Sequence, residues 1–176
     1  MGIASVISWI FTNTAVWLFL IAVIVTVVKV RRATFARRVV TAPYLLWGET
    51  LFYVLGLGFV YIGIMHAYFG ATAAPTIGWT PSPFEYELGW AEIGLGIVAM
   101  VSLWRGYEMR LATTLIFAIF SFAAAAQHIS EIVHLHNYAP GNAGLILWWG
   151  DIALPIVVLV LAYLSREAHE RYERIG

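Results

Sequence analysis

Every Lys and Arg in this chain lies just after the first, third or fifth of five long apolar segments. The segments run from Ile7 to Val28, Tyr44 to Phe69, Pro83 to Trp104, Leu111 to Val133 and Ala143 to Leu164. Each is close to the roughly 20 residues that an α-helix needs to cross a hydrocarbon core. The basic residues form three groups: Lys29, Arg31, Arg32, Arg37 and Arg38; Arg105 and Arg110; and Arg166, Arg171 and Arg174. Positive charge is retained on the cytoplasmic side, so the pattern predicts an outside amino terminus and a cytoplasmic carboxy terminus. The predicted fold is all-α, a polytopic protein of five transmembrane helices and one domain over residues 1–176 in the bacterial inner (plasma) membrane. Its second to fifth helices are expected to form a four-helix bundle.

Composition agrees, since 61% of the residues are hydrophobic and 11% charged, more apolar surface than 176 residues can bury in a soluble globule. The zero net charge hides a strong asymmetry of sign, which orients the chain in a bilayer and points to no nucleic acid. The lack of cysteine excludes thiolate metal sites, c-type haem attachment and disulfides. The first segment carries no ionisable residue, only Thr12, Asn13 and Thr14 near its outer end. Positive charge follows it rather than precedes it, so it reads as a retained anchor and not a signal peptide.

Local signals place the ends of the later segments. Ser82-Pro83-Phe84-Glu85 reads as a capping box that opens the third helix and makes Glu85 a cap. Asn142 is expected to cap the fifth helix after the turn Ala139-Pro140-Gly141. Gly70 to Pro81, rich in Gly, Pro, Ala and Thr, reads as a loop on the membrane face. The segment after Leu164 reads as a charged helix or tail, with pairs Glu167–Arg171 and Glu170–Arg174 and a solvated His169. Trp79, Trp90, Trp104, Trp148 and Trp149 are expected to be interface anchors.

Chemistry is expected where polar residues share one depth in the outer half of the bilayer. Counting about 1.5 Å of rise per residue, His66, Glu92 and Asp151 from three helices reach the level of Gln127, His128, Glu131 and His134 on the fourth. An ionisable group at that depth costs a few kcal/mol unless paired, and no Lys or Arg lies on this side. A bound cation or a shared proton would relieve the cost. Glu131-Ile132-Val133-His134 is the Glu-x-x-His arrangement by which helical bundles present a metal, here in a single copy. Gly89, Gly94 and Gly96 around Glu92 allow close helix approach, as does the run Ala123 to Ala126. Pro155 removes the usual helical donor to the Asp151 carbonyl.

These features predict one or two divalent transition-metal ions held by His66, Glu92, His128, Glu131, His134 and Asp151. Glu131 or Glu92 would then act as ligand or general base on a lipid or other apolar substrate entering from the bilayer. Transport of a metal ion or proton is an alternative, with Glu49 marking the cytoplasmic exit. A b-type haem between His66 and His128 is another. A structural subunit of a homo-oligomer or larger membrane complex is the last. Glu49 is otherwise expected to pair with Arg105, Arg110 or Arg37-Arg38, while Glu87 and His136 are expected at the interface.

Ser82 to Gly96, with Gln127-His128-Ile129 and the stretch Asn137 to Gly144, resembles an uncharacterised family of small bacterial integral-membrane proteins. The resemblance covers the second to fifth helices. It implies a membrane fold and carries no activity.

Overall fold

The computed structural model describes residues 2, 13–36 and 41–173, with side chains described as far as Arg166. Thr12, the Arg37-Arg38 pair, the tail pairs Glu167–Arg171 and Glu170–Arg174, and the His169 side chain therefore lie outside the described residues. The architecture is all-helical among the described residues. Helix α1 is Thr14–Phe35, α2 runs over Ala42–Ile77 with a π-helical stretch at Leu51–Leu57, α3 is Phe84–Ser102 and α4 is Tyr107–Leu135. Helix α5 runs through Ile146–Ala153 into Leu154–Glu173, preceded by the single turn Pro140–Ala143. Thr14–Phe35, Ala42–Ile77, Tyr107–Leu135 and Pro140–Arg166 are long and apolar enough to cross a membrane. Helix α3 carries Glu85, Glu87 and Glu92, which separates it from those four.

Helices α2 and α3 pack through glycine. A Cβ on Gly63 would stand 2.5 Å from the Gly89 carbonyl oxygen, and one on Gly89 would stand 2.5 Å from that of Gly63. Seven residues away on each helix the contact repeats, with a Gly96 Cβ 2.7 Å from the Gly56 oxygen. Two antiparallel backbones can come this close only where neither carries a side chain. Gly94, expected to join this seam, meets nothing within 4 Å and faces away.

The segment expected to be a loop from Gly70 to Pro81 is helical as far as Ile77. Its end is a Schellman motif: the Gly78 N–H donates to Pro75 O at 3.1 Å and the Trp79 N–H to Ala74 O at 3.0 Å. Gly78 supplies the required left-handed conformation, φ 84°. The Gly and Pro content that suggested a loop marks a bend instead, with Phe69 non-helical at φ −127°, ψ 25°. The apolar core sits toward the basic end, where Trp47, Leu51, Leu55, Phe117, Leu154 and Val158 pack together. Helix α1 buries only Ala22 and Thr26 and lies at the periphery.

Charge at the basic end is closely paired. Arg110, in the first turn of α4, donates to Ser102 O at 3.1 Å, Leu103 O at 2.6 Å and Tyr44 O at 3.1 Å, and stacks over the Tyr44 ring at 4.2 Å. It thereby satisfies carbonyls left open at the end of α3. Glu49 pairs with Lys29 of α1 at 2.5 Å, not with Arg105 or Arg110. Arg110 is occupied by carbonyls, and Arg105 is exposed in the turn after α3.

Candidate functional site

Away from that core, helix geometry brings His66 and Glu92 together. In every α-helix the Cα–Cβ bond tilts toward the amino end. On antiparallel helices, residues three positions beyond a contact on each therefore lean back toward it. His66 and Glu92 stand three residues beyond Gly63 and Gly89, and His66 Nδ1 meets Glu92 Oε2 at 2.9 Å over the glycine contact. Glu92 is buried, 4% exposed. Neither atom makes a well-directed hydrogen bond among the described residues.

His66 also lines an open cleft of about 260 Å³ at the bend of α2, together with Tyr68, Gly70, Ala71, Glu85 and Tyr86. Glu85 accepts from the Ser82 N–H at 3.0 Å, the carboxylate half of the expected capping box. Its second oxygen, Oε2, is buried over Gly70 with no hydrogen bond among the described residues. Pro75 lacks an N–H for the Ala71 carbonyl, which leaves a further acceptor in the cleft wall.

A second pair joins α4 to α5. Asn142 was expected as a helix cap; instead it is fully buried and clamps His128. Asn142 Nδ2 donates to the carbonyls of Asn137 at 2.8 Å and His128 at 3.3 Å. Its Oδ1, 2.7 Å from His128 Nδ1, is consequently an acceptor, so Nδ1 carries the proton. The other ring nitrogen, Nε2, faces Asp151 Oδ2 at 3.7 Å. Trp79, expected at the membrane interface, stacks on the His128 ring with centroids 5.8 Å apart and 21° between planes. Trp149 likewise turns inward, edge-on to Phe19 at 5.2 Å, whereas Trp90, Trp104 and Trp148 are exposed.

The expected metal centre does not form. Among the described residues, no group of three or more His, Cys, Asp or Glu side chains comes together to hold a metal ion. His66 and Glu92 face each other across α2 and α3, and His128 and Asp151 face each other across α4 and α5. Glu131 turns to Asn137 Nδ2 at 3.2 Å and Gln127 Nε2 at 3.3 Å, and His134 is exposed. The Glu-x-x-His spacing placed Glu131 and His134 on neighbouring faces, but α4 is rotated so that His128 alone of the stripe is buried. A metal centre built on these six residues, and metal-activated chemistry through Glu131 or Glu92, are therefore set aside.

Asn137, given no role by the sequence, and Asn142, expected only as a cap, are the two amides that organise this end. Asn137 donates to Ile77 O at 2.9 Å, tying the end of α2 to the end of α4, and Asn142 orients His128. A signal was present: two Asn flank a Pro-Gly turn six and eleven residues after Glu131, where side-chain amides hold chain reversals.

No curated protein and no solved structure matches the chain. The model of a family of unknown function, DUF6790, matches residues 12–171. The chain belongs to that family, DUF6790.

Proposed function

We propose that this is a proton-responsive integral-membrane protein that loads protons at its acid-rich end. The reading takes five membrane-crossing helices, α3 included, in a bacterial inner membrane with the amino terminus outside and the carboxy terminus cytoplasmic. The locked tautomer of His128 carries the proposal. With Nδ1–H donating to Asn142, a neutral ring would present the Nε2 lone pair to the Asp151 carboxylate, two acceptors face to face. A proton on Nε2 or on Asp151 removes that conflict. His66 and Glu92 form a second His–carboxylate pair, with no Lys or Arg in residues 39–104 to offset the acid.

His66 reaches the cleft and so exchanges protons with the acid-rich side, and Glu92 stands behind it at 2.9 Å. The packed core of Trp47, Leu51, Leu55, Phe117 and Val158 closes the bundle toward the basic end, which makes the exchange one-sided. Infrared difference spectra between acidic and neutral protein in lipid nanodiscs test this. Carboxyl bands that are lost separately in Glu92→Gln and Asp151→Asn are expected; a wild-type spectrum without carboxyl bands overturns the reading. A reporter inserted at Thr80 is expected outside and one fused after Gly176 in the cytoplasm, and the reverse placement overturns the topology.

A further inference from the structure

A second cavity lies on the opposite half of the molecule, between α1, the start of α2 and α5. It has about 260 Å³ of space and is lined by Val23, Thr26, Val27, Pro43, Leu46 and Leu161. Thr26 adds no polarity, because its hydroxyl donates to Ala22 O at 2.8 Å and leaves the methyl to the groove. A groove this apolar suits an acyl chain. Its mouth is basic: Arg31 follows Val27 by four residues on the same face of α1, about 6 Å further along, and is exposed. Exposed Arg32 stands in the next position along the helix. Arg31 and Arg32 have no ion-pair partner among the described residues.

We propose that this groove seats one acyl chain of an anionic phospholipid, with the lipid phosphate at Arg31 and in the field of Arg32, Lys29 being spent on Glu49. The inference rests on the membrane fold and is independent of the proton site. Apolar contact alone would accept any lipid. The basic turn at the mouth selects the anionic one, because each Lys or Arg near a membrane surface adds attraction to acidic headgroups.

The test is native mass spectrometry of the full chain in nonionic detergent, titrated with phosphatidylglycerol and with phosphatidylcholine of identical acyl chains. Wild type is expected to bind phosphatidylglycerol about ten-fold more tightly. Arg31→Gln is expected to lose about five-fold of that preference while still taking up both lipids. Val27→Trp, at a half-exposed position where bulk fills the groove and disturbs no core contact, is expected to weaken both. Equal binding of the two lipids to wild type overturns the proposal. So does undiminished binding by Val27→Trp, or a lipid-free dimer in which a second copy of the chain fills the groove.

Discussion

The two ends of this bundle treat buried charge in opposite ways. At the basic end Arg110 is spent on three carbonyls and a Tyr ring, and Glu49 is neutralised by Lys29. At the acidic end His66 Nδ1, Glu92 Oε2, Glu85 Oε2 and Asp151 Oδ2 are buried without a well-directed hydrogen bond among the described residues. A charge with all its partners stabilises one conformation. One held between a His and a carboxylate has two protonation states close in energy, and can respond to its surroundings. On the proposed function, stability belongs to the basic end and response to the acidic end.

The largest effect that would break this contrast is at Arg110. Arg110→Met removes three charge-assisted bonds at a buried position and is expected to cost about 3 kcal/mol of stability, seen as a lower melting temperature in detergent. Arg110→Lys is expected to rescue little, because a single ammonium cannot span the three carbonyls. A melting temperature within a degree of wild type for Arg110→Met would remove the clamp.

Next comes the glycine seam. Gly89→Ala places a methyl 2.5 Å from backbone on α2 and is expected to cost about 2 kcal/mol and separate His66 from Glu92. Gly94→Ala, with nothing within 4 Å, is expected to gain about 0.5–1 kcal/mol through helix propensity. Thermal unfolding of the pair separates packing from any general effect of a methyl; equal shifts would refute the seam.

At the acidic end, Asn142→Ala is expected to cost about 1–2 kcal/mol, because it removes a fully buried amide bonded to His128 and to two backbone carbonyls. It also frees the His128 tautomer, so the His128 ring resonances in an NMR titration are expected to move. Smallest is Glu92→Gln, expected to change stability at neutral pH by about 1 kcal/mol or less, since His66 can give up its proton when the carboxylate is neutralised and no uncompensated charge stays buried. Its signature is in the pH profile: the part of the melting curve's pH dependence that belongs to the His66–Glu92 pair is expected to vanish. A profile matching wild type would take Glu92 out of the responsive set.

Much of the frame was legible because it is written in one dimension. The apolar runs marked five helices, and the positions of ten basic residues sorted their ends into two kinds. Even the depth of His66, Glu92, His128 and Asp151 followed from counting residues along helices. Where local composition misled, at Gly70 to Ile77, the residues that break helices in water bent one here, because a backbone in or near a bilayer stays helical to satisfy its own hydrogen bonds.

What sequence alone determined, then, was which segments are helices, how far along each a polar group sits, and which ends gather the positive charge. Which polar groups meet was decided only in the tertiary structure. Partner choice depends on the rotation and register of each helix, and these follow from contacts between residues far apart in the chain. Gly63 and Gly89 draw α2 and α3 close enough for His66 to meet Glu92, and Asn142 turns His128 toward Asp151. The resulting pairs divide between two helix interfaces what a common depth had suggested was a single metal centre, because equal depth says nothing about the direction in which a side chain points.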